Sequence, residues 1–267
     1  MKKLTVFCAA ACLAASAAAQ NHPDLHEVLD RQKGRNLIEI PKGTYTLDVR
    51  SNGPYKFHNL TDVHINGNGS TVICNNQEQA FSFYNCVRVE LRDLTIDYDP
   101  LCFTQGEITA VAEDGSWFDV RIDEGYPVTG LAANRVQFYD PQTRLLKRNS
   151  ITTYTSNYSA LKQLGHNLFR AVKNGTWSAG EQVGDLVVMD VKTDKPNAGV
   201  HTVMLNKCYN TKLENVTVYG SNTFSFFEKE GYANEYRNCV VDRGPMPQGI
   251  RPRLRSGNAD GIHSSQA

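Results

Sequence analysis

The chain has 267 residues, and its 28 Lys and Arg residues balance 28 Asp and Glu residues. That neutrality lacks the basic footprint of a nucleic-acid-binding chain. The cysteines at 74, 86, 102, 208 and 239 show no Cys-x-x-Cys spacing, which speaks against a disulfide framework or a zinc site and makes them small buried hydrophobes, with no metal or cofactor expected.

In chain order, Lys2 and Lys3 precede an uncharged stretch from Leu4 to Ala19 that ends in Ala17-Ala18-Ala19. This is the pattern of a secretory signal peptide cleaved after Ala19. The stretch is too short and too Ala-rich to span a bilayer, which takes about 20 predominantly apolar residues. A lipoprotein anchor at Cys12 is the rival reading, but the preceding Ala9-Ala10-Ala11 lacks a leucine. No second apolar run of membrane length comes later in the chain, so a secreted or periplasmic chain without a membrane span is expected. Asn-x-Ser/Thr triplets begin at Asn59, Asn68, Asn157, Asn174 and Asn215; in a bacterial chain they read as turn chemistry.

Residues 20–100 open with helical spacing from Asn21 to Arg35, then an extended run from Leu37 to Leu47. A short capping helix and a first strand are expected. Asn59-Leu-Thr-Asp-Val-His-Ile-Asn-Gly is then echoed by Asn85-Cys-Val-Arg-Val-Glu-Leu-Arg-Asp-Leu-Thr-Ile-Asp and by Lys207-Cys-Tyr-Asn-Thr-Lys-Leu-Glu-Asn-Val-Thr-Val-Tyr-Gly. Asn59 and Asn85 are 26 residues apart, and Asn215 and Asn238 are 23 apart. These intervals match one coil of a solenoid, whose repeats fall between about 20 and 50 residues. Ala80-Phe81-Ser82-Phe83 also recurs as Thr223-Phe224-Ser225-Phe226. Stacked apolar residues on successive coils would build one continuous core. The expected fold is therefore all-β, a right-handed parallel β-helix.

Residues 101–198 break the repeat. A hairpin is expected from Gly106 to Glu113 and Trp117 to Ile122 around Asp114-Gly115-Ser116, with strands at Arg135–Tyr139, Asn167–Val172 and Leu186–Val191. They read as an inserted small β-barrel or sandwich. Residues 199–267 resume the coils and are expected to stop within one, leaving the solenoid truncated at the C-terminus and this fragment inactive alone.

The opening Ile38-Glu-Ile-Pro-Lys-Gly-Thr-Tyr resembles the start of pectate-lyase and polygalacturonase β-helices. Asn258-Ala259-Asp260-Gly261-Ile262-His263 resembles the Asn-x-Asp-Gly motif of the polygalacturonases, family 28 of the glycoside hydrolases, and the Ala-Asp-x-x-His segment of the β-helical α-1,3-galactosidases, family 110. The resemblance implies that Asp260 is one of three active-site carboxylates, the others forming an Asp pair about one coil downstream. A β-barrel inserted into the early coils also occurs among the galactosidases, although their segment has Ala-Thr where this one has Gly261-Ile262. The activity that the resemblance implies is that of an inverting glycosidase acting on α-galactosidic or galacturonosidic linkages of an oligo- or polysaccharide. Such enzymes need an acid and a base about 6.5–9.5 Å apart, and strands on neighbouring coils lie about 4.8 Å apart.

Around Asp260, Asn258 and His263 are candidate substrate-binding residues, and Glu228 and Glu230, one coil earlier, could line the same groove. Asp-Gly is also a tight-turn signal, and a histidine at a strand end is often only structural. Arg243, Arg251, Arg253 and Arg255 share one loop; arginine suits carboxylate recognition, so a uronate is conceivable, while contact with another part of the protein is the commoner use. Tyr219, Phe227 and Tyr232 could stack on sugars or simply pack. Two other functions compete: a polysaccharide lyase, which needs a Lys or Arg base and usually Ca²⁺, and a noncatalytic glycan-binding or adhesion solenoid.

Overall fold

The computed structural model describes residues 22–191, 201–221, 223–255 and 261–266. The signal-peptide segment, Asn258 and Asp260 lie outside the described residues. A short helix α1 (Leu25–Asp30) opens the fold, its first turn capped by Asp24, whose carboxylate accepts the His26 amide at 3.0 Å. It is shorter than the helical spacing predicts: hydrogen-bonded turns replace it from Arg31 and the chain turns at Gly34, φ +81°. Leu25 and Leu29, one turn apart, face the core.

Next in the chain are β1 (Leu37–Glu39), β2 (Thr44–Leu47), α2 (Val49–Asn52), β3 (Tyr55–His58), β4 (Thr61–Cys74), β5 (Phe81–Tyr84) and β6 (Val87–Tyr98). Seven more strands are β7 (Phe103–Val111), β8 (Trp117–Ile122), β9 (Leu131–Tyr139), β10 (Thr153–Tyr154), β11 (Tyr158–Gln163), β12 (Leu168–Lys173) and β13 (Leu186–Val191). The last six are β14 (Val203–Asn206), β15 (Lys212–Tyr219), β16 (Phe226–Lys229), β17 (Glu235–Arg237), β18 (Val240–Asp242) and β19 (Ile262–Ser265). The protein is thus mostly β, and among the described residues no helix is long and apolar enough to cross a membrane.

Two sheets are parallel. One runs β1-β4-β6-β15-β17, with β2 pairing β4 and β18 pairing β15, and the other runs β3-β5-β14-β16-β19. The chain visits them alternately, so each circuit adds a strand to both. Side chains alternate faces along each strand, and the inward rows stack in register: Tyr55, Phe81, Val203 and Phe226 in one sheet, Ile65, Leu91, Leu213 and Tyr236 in the other.

Between the sheets the corners repeat too. Asn59, Asn85, Lys207 and Glu230 all have φ between 52° and 57°, as do Asp62, Arg88, Asn210 and Ala233 within a degree, and Asn68, Asp93, Asn215 and Asn238. Asn and Asp tolerate this left-handed conformation better than other non-glycine residues. That is why Asn punctuates the repeats, and why Asn59, Asn68 and Asn215 read correctly as turn residues. Asn85 Nδ2 also donates to Asn59 Oδ1 at 2.8 Å, tying successive corners.

The phenylalanine echo is offset by two residues from the true register. Val203 pairs with both Phe81 and Phe226, so Phe226 rather than Phe224 occupies the Phe81 row. Glu228 then falls in the row of Phe83 and Leu205.

Strands β7 to β13 form one antiparallel sheet in the order β10-β9-β13-β7-β8-β12-β11. Phe118 of β8 and Phe138 of β9 are three places apart in that order, yet their rings meet at 5.6 Å, so the sheet curls around its own core. Its end strands are linked by a 2.6 Å hydrogen bond between the Thr153 and Tyr158 hydroxyls. The first parallel strands after it stack directly on those before it, β14 on β5 and β15 on β6.

Candidate functional site

On the outward face of the second parallel sheet, strand pairing aligns Ser82, Met204, Phe227 and His263. Two residues upstream of β14 and of β16, His201 and Phe224 add their rings to this row. Phe224 is parallel to His263 at 4.0 Å with 1° between planes and lies 5.0 Å from His201. Phe227 stacks on His201 at 4.1 Å. The four rings are half-buried and stack on one another face to face. Burial, and secondarily the charge of His263, lowers the pKa of His201 and favours its neutral form. Its Nδ1 is buried and has no hydrogen-bond partner. Neutral imidazole is donor and acceptor at once, a chemistry matched to hydroxyl groups.

The structure thus brings His263 and Phe227 together and adds His201 and Phe224, neither of which the sequence marks as a site residue. Asp260 itself, like Asn258, lies outside the described residues.

Glu228 is placed differently from the expectation. Strand parity turns it inward, 7% exposed, where Asn234 Nδ2 donates to it at 2.7 Å and Tyr236 OH at 3.3 Å. Space for this polar rung comes from Gly231, where a Cβ would lie 2.5 Å from Glu228 Oε1. An inward row otherwise filled by Phe83 and Leu205 cannot present a carboxylate to a groove. Glu228→Ala is expected to cost about 1–3 kcal/mol in unfolding experiments, the penalty of stranding buried partners, and to leave glycan affinity unchanged. A loss of affinity without loss of stability would return Glu228 to the site.

The arginine-rich loop is occupied with the end of β6 and with the antiparallel sheet. Arg253 Nη1 donates to Asp97 Oδ1 at 2.8 Å, both side chains being about nine-tenths buried. The guanidinium passes Gly244, φ +77°, where a Cβ would stand 2.7 Å from Nη1. Leu254 N donates to Gln105 Oε1 at 2.6 Å, Gln105 Nε2 to the Pro252 carbonyl at 3.0 Å, and Tyr126 and Tyr139 hydroxyls to the Arg251 and Arg255 carbonyls at 2.9 and 2.8 Å. Of the two uses the loop composition suggested, Arg251 and Arg253 serve the second, contact within the protein. Tyr232 is 72% exposed and pairs through its backbone with Tyr209 on the adjacent coil. Tyr219 borders the Gly244 slot.

Among the described residues no group of three or more His, Cys, Asp and Glu side chains is placed to hold a metal ion. Neither protein-family models nor curated proteins show a match to this chain.

Proposed function

We propose that the protein is a secreted, carbohydrate-active right-handed parallel β-helix, a glycoside hydrolase that cleaves α-galactosidic or galacturonosidic linkages with inversion. The observation that carries this reading is the row of His201, Phe224, Phe227 and His263 on the second parallel sheet. The imidazoles of His201 and His263 supply a donor and an acceptor for sugar hydroxyls, and the phenylalanine rings supply apolar area beside them. In this reading Asp260 supplies one of the carboxylates that activate water or stabilise the transition state, and His263 and Asn258 bind sugar hydroxyls. The two parallel sheets visited in alternation and the repeated left-handed corners support the β-helix.

In the full-length protein Asp260→Asn is expected to lower kcat by about 10²–10⁴-fold, the usual reach of acid–base catalysis, with an unchanged circular dichroism spectrum. Phe227→Ala is expected to raise KM by roughly 3–10-fold, the worth of one aromatic contact. An Asp260→Asn protein that cleaves normally ends the hydrolase reading. A protein that binds glycans through the ring row without cleaving any is a binding solenoid, and an unsaturated product absorbing in the ultraviolet marks a lyase.

A further inference from the structure

We propose a second saccharide site in the cleft between the antiparallel sheet and the arginine-rich loop, away from the ring row. The cleft encloses about 250 Å³ and is lined by Glu107, Arg121, Asp123, Glu124 and Asn167 of the sheet and by Arg251 of the loop. This volume is below the ~300–1,000 Å³ of drug-sized sites, so it takes one ring rather than a chain.

Its lining alternates acceptors and donors. Asp123 is fixed between Arg251 Nη1 at 3.0 Å and Gln105 Nε2 at 2.9 Å. Arg251 Nη2 also reaches Glu107 at 3.4 Å. The side chains of Arg121 and Glu124 are exposed and make no hydrogen bond or ion pair with other described residues, which leaves one free fork of donors and one free carboxylate at the mouth. Three carboxylates and two guanidiniums nearly cancel, so neither a strongly anionic nor a strongly cationic ligand is favoured. A neutral polyol fits: vicinal hydroxyls donate to a carboxylate and accept from a guanidinium fork. With no aromatic ring in the lining, binding is weak.

The choice of a hexose rests on the carbohydrate reading above, but the site does not use Asp260 or the ring row. Galactose titrated into full-length Phe227→Ala protein, followed by ligand-detected NMR, is expected to saturate with a Kd on the order of 1–10 mM. Adding Arg121→Gln should weaken it about tenfold without moving the Tm, because the substitution keeps the strand backbone and the Arg121 side chain has no hydrogen-bond or ion-pair partner among the described residues. Adding Asp260→Asn instead should leave it unchanged, even where cleavage is lost. Absence of saturation, an Arg121→Gln protein that binds as tightly, or galacturonate binding tighter than galactose would each overturn the proposal.

Discussion

Arg253→Ala destabilises the protein by about 3–5 kcal/mol in denaturant unfolding, the cost of leaving one member of a buried ion pair alone. Asp97 is 7% exposed and, among the described residues, would keep the Tyr98 amide, which donates to its Oδ1 at 2.8 Å. No water replaces the guanidinium cheaply at that depth. The loss also frees the loop that joins β18 to β19, so trypsin should cut after Arg243 and Arg255 faster than in the parent protein. Replacing Asp97 by Asn together with Arg253 by Met should cost less than the sum of the single changes, since the pair is removed as a unit. Equal, additive and small effects would mean that the loop is held by its backbone hydrogen bonds alone.

Asp190→Asn should stabilise the protein at neutral and alkaline pH. The carboxyl is buried on β13, its Oδ1 has no hydrogen-bond partner, and burial, opposed only by Arg135, raises its pKa to about 7. The folded chain therefore keeps the proton up to about pH 7, whereas the unfolded chain releases it from its ordinary value of 3.8 upward. Below about pH 4 the group thus has no effect, stability falls as pH rises from about 4 to about 7, and above about 7 the penalty is constant. One pKa unit corresponds to about 1.4 kcal/mol, so the penalty reaches up to about 4 kcal/mol. Asn cannot ionise, and the gain on substitution should grow over that window and vanish near pH 4. A gain that is the same at pH 4 and pH 8 would show that ionisation of Asp190 is not its source.

The parallel part was legible because its determinants are local. Left-handed corners favour Asn and Asp, alternating strands show period two, and the interval between Asn59 and Asn85 is the 26-residue spacing at which β4 and β6 pair. Register was less legible: Phe224 and Phe226 are two residues apart, have the same strand parity, and either could have matched Phe81. Only the pairing of Val203 with Phe226 decides it, and that choice sends Glu228 inward. His201 has no counterpart in the repeats and precedes its strand by two residues, so nothing in its neighbourhood marked it. The role of the arginine-rich loop was hidden for another reason. Its partners Asp97, Gln105, Tyr126 and Tyr139 are more than a hundred residues away in sequence, and charge alone does not distinguish a ligand from a neighbouring strand.

The splice between β6 and β14 has a consequence for how the chain orders itself. Lys212 meets Glu90 across 122 residues, whereas neighbouring coils elsewhere, such as those of Asn59 and Asn85, close loops of 26. For a flexible chain the longer closure adds only about 1.4 kcal/mol of entropy, because the cost grows with the logarithm of length. Even this is avoidable: Val191 N donates to the Cys102 carbonyl at 3.1 Å, so the first and last strands of the insertion end side by side. Once folded, the insertion presents its two ends, at Cys102 and Val191, as neighbours, so β14 and β15 can add to β5 and β6 without a long open loop to close.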